Sequence, residues 1–253
     1  MIEERLQGGR GPLHGLDPRA RLVGAAAWSV AAAVIQARPA AWAALAASAL
    51  LLAAARPPLG EVARRLGAVN AFIALLWLLM PFSTPGQPVL TVAGLAATRQ
   101  GLELAALITL KSNAIVLAFM ALVATIPVQD LGHALRKVGV PLKLALLLVF
   151  THRAVQAMSG EYRRMRQAMT VRGFVPRTGL HTWRAYACLA GMLLVRGMDR
   201  AERVREAMLC RGFTGELRSI NPLAARPADH LFLAAMLCAS ALLAWAGLWG
   251  TAP

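Results

Sequence analysis

Five long apolar runs constrain the fold of this chain more than any other feature of its sequence. A helix that crosses a bilayer needs about 20 mostly apolar residues, and in lipid only helices and closed barrels satisfy every backbone hydrogen bond. The runs occupy Leu22–Ala37, Ala40–Ala55, Leu66–Phe82, Leu102–Ile126 and Leu231–Trp249. Of the 253 residues, 58% are hydrophobic, whereas soluble domains have about 45–50%. The sequence therefore predicts an all-α integral membrane protein with about five transmembrane helices, within a range of about four to six crossings.

The charges of the connections predict which side of the membrane each one faces. Cytoplasmic connections of membrane proteins are enriched in Arg and Lys. Basic residues are frequent before the first run, sparse at Arg38 and frequent again from Arg56 to Arg65. They are absent from residues 83–98, frequent after residue 126 and absent after residue 249. This alternation predicts a cytoplasmic N-terminus. The basic cytoplasmic connections also account for the net charge of +15, so we expect no nucleic-acid partner.

The segment between the fourth and fifth runs is unusual because its apolar patches are too short to span a bilayer. These patches cover Leu144–Phe150 and Ala185–Val195. Between residues 153 and 226, 14 arginines stand against five acidic residues. Such a mixture is typical of amphipathic helices that lie along or below the inner leaflet.

Two long amphipathic cytoplasmic helices are therefore predicted, about Leu142–Arg172 and about Thr182–Arg211, with a short helix around Val128–Val138 before them. The predicted organisation has three regions: N-terminal membrane helices with about four crossings in residues 1–126, the cytoplasmic helices in residues 127–228, and a C-terminal transmembrane helix in residues 229–253.

An eleven-residue segment is repeated at the ends of the two long helices. The copies share seven identical positions, lie 39 residues apart, end in Arg-Gly-Phe and cover residues 164–174 and 203–213. Gly173 and Gly212 stand where many helices end in a left-handed residue, a conformation that glycine adopts without steric cost. Phe174 and Phe213 follow at the position whose apolar contact completes a Schellman turn.

Local roles for the repeated arginines do not explain the whole repeat. A cation in the last turn favours the negative end of the helix dipole by about 0.3–1 kcal/mol, and arginines near a membrane neutralise anionic lipid at about 1 kcal/mol each. Neither role requires that Ala168 and Ala207 recur together with the phenylalanines. Arg and aromatic side chains are typical interface anchors. We therefore predict that both copies of this surface dock a partner that comes in two copies, through Ala168, Arg172, Gly173 and Phe174 and through Ala207, Arg211, Gly212 and Phe213.

The same stretches resemble the transmembrane T component of energy-coupling factor (ECF) transporters, in its cobalt/nickel variant. The similarity covers nearly the whole chain and is strongest from about Val128 to Phe213. The matching segments are Leu16–Ala20, Leu135–Pro141, Arg184–Tyr186, Gly191–Arg196, Arg200–Val204 and Ala207–Phe213. The family pattern is often Ala-Arg-Gly, whereas this chain has Val171 and Cys210 in place of the alanine, so we expect the partner contact to differ there.

The resemblance implies a non-catalytic subunit of an ATP-driven importer for cobalt or nickel in the bacterial inner membrane. In that family the two Arg-Gly motifs end long cytoplasmic coupling helices. Each helix end docks in a groove of one subunit of an ATPase dimer, where the arginine pairs with an acidic residue. By position this role falls to Arg172 and Arg211. A separate substrate-binding membrane subunit would hold the metal ion, and the ATPase subunits would bind ATP and Mg²⁺, so no cofactor is expected in this chain.

Three polar residues lie in or near the fourth apolar run, namely Glu103, Lys111 and Asn113. Polar groups inside a membrane are expensive and are often functional. One interpretation is that they contact the substrate-binding subunit; the other is that they form a structural patch with a neighbouring helix or at the membrane rim. The sequence leaves both open.

Three other classes of protein fit the pattern less well. An integral membrane enzyme acting on anionic lipid headgroups would use the arginines but needs clustered carboxylates. A self-contained secondary transporter would show two similar hydrophobic halves, and a membrane-tethered nucleic-acid binder would interleave aromatic with basic residues. The chain has only 12 Asp and Glu and no Gly-Lys dipeptide, so a P-loop ATPase is excluded. Its five histidines are not paired at metal-ligand spacing.

Overall fold

The computed structural model describes residues 15–85, 87–92, 95–215 and 227–249, and in these ranges it contains eight helices and one two-stranded hairpin. In chain order these are α1 (Pro18–Val34), α2 (Arg38–Ala55), α3 (Leu59–Ser83), β1 (Pro88–Val92), β2 (Leu95–Thr98), α4 (Arg99–Leu122), α5 (Val128–Val138), α6 (Leu142–Val171), α7 (Leu180–Cys210) and α8 (Pro227–Trp249). The predicted all-α membrane class is confirmed, and the small hairpin is an addition to it.

The chain divides into two compact units. The first comprises residues 1–134 and 223–253, and the second comprises residues 135–222. The boundary falls inside α5. The functional division at residues 126/127 and 228/229 stays a prediction.

Four described helices, α2, α3, α4 and α8, have the length and apolarity to cross a bilayer. The remaining predicted crossing, Leu22–Ala37, corresponds to α1. With 17 residues and a rise of about 1.5 Å per residue, α1 is about 25 Å long. This length is near the lower limit for a spanning helix, so the total of about five crossings stays a prediction.

The core of the first unit is built from small side chains around α4. This helix packs against α1, α2 and α3, and α1 also packs against α8. Small residues let helix backbones approach closely in lipid. The buried alanines of this core are Ala25, Ala32, Ala37, Ala40, Ala41, Ala44, Ala55, Ala114, Ala118 and Ala121. Among the described residues Trp28 is the largest fully buried side chain, and its Nε1–H donates to Ser48 Oγ at 3.0 Å.

The uncharged connection between α3 and α4 contains the hairpin. β1 pairs antiparallel with β2, with Thr91 opposite Ala96. β-branched residues such as Val89, Thr91 and Val92 favour strands, and Pro88 stands at the first strand position, where proline is tolerated. Thr98 ends the hairpin and N-caps α4, since its hydroxyl accepts a hydrogen bond from the Gly101 N–H at 3.3 Å.

The second unit consists mainly of two long helices. α6 has 30 residues and α7 has 31, and they run antiparallel after the turn between them. Only Ala145 on α6 and Leu189 on α7 are buried. The predicted limits of α5, α6 and α7 are confirmed to within two residues.

Candidate functional site

The first Arg-Gly-Phe segment closes α6 with a Schellman motif. Gly173 is left-handed, with φ +78°. The Phe174 N–H donates to the Met169 carbonyl at 3.0 Å, and the Gly173 N–H donates to the Thr170 carbonyl at 3.0 Å. These two bonds satisfy carbonyl groups that a helix end leaves without partners.

The second segment closes α7 in the same way. Gly212 has φ +74°. The Phe213 N–H donates to the Met208 carbonyl at 3.0 Å, and the Gly212 N–H donates to the Leu209 carbonyl at 2.9 Å. The predicted cap geometry is therefore confirmed at both copies. We call the two ends tip 1 (Ala168–Phe174) and tip 2 (Ala207–Phe213).

Both tips present an exposed cation beside exposed apolar side chains. Arg172 and Arg211 are exposed, and within the described residues neither guanidinium has a hydrogen bond or an ion pair. Ala168 and Ala207 are exposed as well. Val171 is 88% exposed next to Arg172, and Leu209 is 55% exposed near Arg211. An unpaired arginine next to uncovered apolar surface is the composition of an interface anchor.

The two phenylalanines have different surroundings. The Phe174 ring meets the Tyr186 ring edge-on at a centroid distance of 5.9 Å and lies 6.3 Å from the His181 ring. Both neighbours belong to α7, so Phe174 fixes tip 1 against the beginning of α7. Among the described rings, Phe213 has no such neighbour. The Phe174 ring thus has a partner within the chain, and the role of both phenylalanines in an interface stays a prediction.

Tip 1 and tip 2 lie at opposite ends of α7. Phe174 of tip 1 contacts Tyr186, near the beginning of this helix, and tip 2 includes Cys210, its last residue. The 24 intervening residue steps (210 − 186) correspond to about 36 Å at about 1.5 Å per residue. The structure therefore holds the two arginines far apart, at the two ends of α7.

α6 and α7 also meet at a crossing near the middle of α6. A Cβ added to Gly197 would lie 3.2 Å from Met158 Cε and 3.3 Å from its Sδ, so the helices approach closely there. Beside this contact Glu161 accepts from Arg164 Nε at 3.1 Å, and it also forms an ion pair with Arg196 of α7. The Arg164 guanidinium, followed by that of Arg196, holds the pKa of the Glu161 carboxyl below its ordinary value.

The ion pair between Glu161 and Arg196 was not identified from the sequence. A signal was present, because Glu161 is the only acidic residue between Asp130 and Asp199. An acid that stands alone in a strongly basic helix pair is well placed to bridge the two helices.

The three intramembrane polar residues all have partners within the first unit. Glu103 pairs with Arg38 Nη2 at 2.6 Å and with Arg99 Nε at 3.0 Å. Lys111 Nζ donates to the Ala33 carbonyl at 3.1 Å. Asn113 Nδ2 donates to Asn70 Oδ1 at 3.0 Å and to the Thr109 carbonyl at 3.0 Å. These bonds give each residue a structural role; their contact with a substrate-binding subunit stays a prediction.

The chain is similar in sequence to known cobalt transport proteins. The profile of the CbiQ cobalt transport proteins matches residues 9–222, a range that includes both tips. The chain belongs to the CbiQ family. This membership confirms the predicted relationship to the T components of ECF transporters.

Two relatives of the CbiQ type illustrate the match. A protein of Rhodobacter capsulatus named cobalt transport protein CbiQ is 30% identical over 174 residues, which are 66% of this chain and 69% of the relative. A putative fused cobalt transport protein CbiMQ of Methanocorpusculum labreanum is 30% identical over 159 residues, or 58% of this chain. That match covers 26% of the fused protein, so it concerns one part of a longer chain.

Proposed function

We propose that this chain is the coupling subunit of an ECF-type importer for cobalt, in which tip 1 and tip 2 dock into two ATPase subunits. The observation that carries the proposal is the matched pair of helix ends, each with a Schellman cap and an exposed arginine without a partner among the described residues. The family's description as cobalt transport proteins favours cobalt over nickel as the transported ion.

The geometry supports a mechanical role in place of a catalytic one. ATP binding closes an ATPase dimer and displaces its two subunits relative to each other. Two anchors at opposite ends of a stiff helix convert that displacement into movement of α6 and α7. Exposed apolar side chains such as Leu147, Leu194 and Val195 would carry the movement to a substrate-binding membrane subunit that holds the ion. We place the protein in the bacterial inner membrane with its N-terminus in the cytoplasm, where ATP is available to the partners.

The test removes the two cations and measures assembly. We expect Arg172→Ala and Arg211→Ala each to weaken co-purification of the ATPase subunits. An interfacial charge pair that is desolvated on docking is worth about 2–5 kcal/mol, which corresponds to at least a roughly 30-fold loss of affinity. The double variant should abolish ATP-dependent uptake of Co²⁺ into proteoliposomes while inserting into the membrane normally.

Arg200→Ala is the matched control, because Arg200 is an exposed arginine of α7 outside both tips. It should assemble and transport like the unmodified protein. Normal uptake by the Arg172→Ala, Arg211→Ala double variant would refute the proposed docking role.

A further inference from the structure

A buried arginine joins the beginning of α1 to the end of α4. Arg21 stands in the first turn of α1 and is 2% exposed. Its Nη2 donates to the Ala121 carbonyl at 3.4 Å and to the Thr125 hydroxyl. Both partners lie about 100 residues later in the chain and are themselves almost fully buried.

The charge of Arg21 is compensated by a helix end. Within the described residues no carboxylate pairs with its guanidinium, and its Nε has no hydrogen-bond partner. The last carbonyl groups of a helix lack intrahelical partners and carry the negative end of the helix dipole. Arg21 therefore acts as a C-terminal cap for α4 that is supplied by a different helix.

This cap stands at the exit from the membrane helices. After α4 the chain makes a turn, in which Ala124 N–H donates to the Phe119 carbonyl at 3.1 Å and Ile126 N–H donates to the Val123 carbonyl at 3.0 Å. The Thr125 hydroxyl donates to the Ala121 carbonyl at 3.0 Å. α5 begins at Val128 and continues into the second unit, so Arg21 holds the last residues before the coupling helices.

The beginning of α1 is itself fixed to α8. The Asp17 N–H donates to Asp229 Oδ1 at 2.8 Å, and the Asp17 carboxylate caps α1 by accepting from the Arg19 N–H at 2.9 Å. Asp17 and Asp229 are both buried. The end of α4 is thus connected through Arg21 to a frame formed by the beginnings of α1 and α8.

We propose that Arg21 is a positioning residue for transport: it anchors the connection between α4 and α5 to the membrane frame, so that displacement of the coupling helices reaches the membrane helices. This inference rests on the proposed coupling function. Without this anchor the connection between α4 and α5 would deform when the coupling helices move. The ATPase subunits would then complete their cycle with less movement of the membrane helices.

The test measures transport per ATP hydrolysed in the full complex with its ATPase and metal-binding subunits, reconstituted in proteoliposomes with Co²⁺. Arg21→Gln removes the charge at similar length, and Thr125→Val removes the acceptor hydroxyl with little change of shape. We expect both variants to keep at least half of the ATP turnover while Co²⁺ accumulated per ATP falls about 5-fold or more. Arg21→Lys, which keeps a cation able to cap α4, should recover part of the ratio.

Ser48→Ala is the control for loss of stability alone. It removes the buried bond from Trp28 to Ser48, which also joins α1 to another helix but lies outside the α4–α5 connection. This variant should lower the melting temperature and leave the ratio unchanged.

The inference is overturned if Arg21→Gln and Thr125→Val keep the ratio of the unmodified protein, or if uptake and ATP turnover fall together as a purely structural defect would require. If Arg21→Gln does not assemble, Thr125→Val alone decides the outcome. Failure of the unmodified chain to bind any ATPase subunit would instead refute the proposed function, and it would do so before the ratio is measured.

Discussion

At the scale of single residues, two kinds of glycine serve different purposes. Gly173 and Gly212 are needed for their left-handed backbone, and nothing lies within 4 Å of a Cβ added to either. Gly101 is needed for space, because an added Cβ would lie 2.7 Å from the Met80 carbonyl oxygen and 2.7 Å from Pro81 Cα. The first kind was predictable from its place after a helical segment. The second was not, because the obstructing atoms belong to another helix.

We expect Gly101→Ala to destabilise the first unit by about 1–3 kcal/mol, the usual cost of inserting a methyl group into a closely packed site. Thermal unfolding in detergent measures the effect. Gly67→Ala is the control, since Gly67 lies within α3 with open space around it and alanine favours a helix over glycine by about 0.5–1 kcal/mol. Equal stability of the two variants would contradict the close approach of α3 and α4.

For the tips, we expect Gly173→Ala and Gly212→Ala to cost about 1–2 kcal/mol each, because an L-residue is strained in the left-handed region. The strain should displace the tip and weaken ATPase binding, as measured by co-purification. Gly191→Ala on α7, where there is neither a positive φ nor a neighbour within 4 Å, should bind normally. Unimpaired binding by both tip variants would show that cap geometry does not matter for docking.

At the scale of elements, local features of the sequence predicted the helices α6 and α7, but they did not predict where the two helices cross. The apolar patches and the terminal glycines are local features of the sequence, so the helix limits were predicted closely. The contacts of Glu161 with Arg196 and of Glu103 with Arg38 join residues 35 and 65 positions apart (196 − 161 and 103 − 38). Such pairings depend on how helices pack, and periodicity alone does not contain that information.

The crossing should respond to acid in a defined direction. Since the pKa of the Glu161 carboxyl is below its ordinary value of 4.5, its contribution is present above pH 4.5 and is lost as the pH falls through the lowered value. Nitroxide labels at Val155 and Met198, which are both exposed, report the distance between α6 and α7. We expect the distribution of this distance to be unchanged at neutral and mildly acidic pH and to broaden only in stronger acid. The native cysteines, which are exposed, are replaced by serine for this measurement.

Charge reversal provides the control for that experiment. Glu161→Arg or Arg196→Glu alone should broaden the distance distribution at neutral pH, and the two together should restore it. A crossing that is insensitive to all three variants would show that Met158 and Gly197 hold the helices without the ion pair.

At the scale of the whole molecule, the sequence predicted the membrane class, the family and the repeated tips, because each of these depends on composition or on a contiguous motif. The sequence did not indicate that the tips lie at opposite ends of α7. This arrangement follows from the contact of Phe174 with Tyr186, which joins residues of different helices.

The separation of the tips can be measured directly. We expect labels at Val171→Cys and at the native Cys210, with Cys188 and Cys238 replaced by serine, to lie about 35–45 Å apart, because α7 rises by about 1.5 Å per residue between Tyr186 and its end. Pulsed electron spin resonance of the second unit within the intact chain gives this distance. A value below about 25 Å would contradict the antiparallel arrangement on which that estimate rests.

The contact between Phe174 and Tyr186 also has a consequence for assembly. Because α7 would hold both proposed docking sites at a fixed separation, binding of the first ATPase subunit would leave the second site at that distance. The second encounter then becomes effectively intramolecular, and its local concentration is governed by how well this separation matches the distance between the receiving grooves. Loosening this aromatic contact would therefore reduce avidity for the paired partner while leaving the affinity for a single ATPase subunit intact.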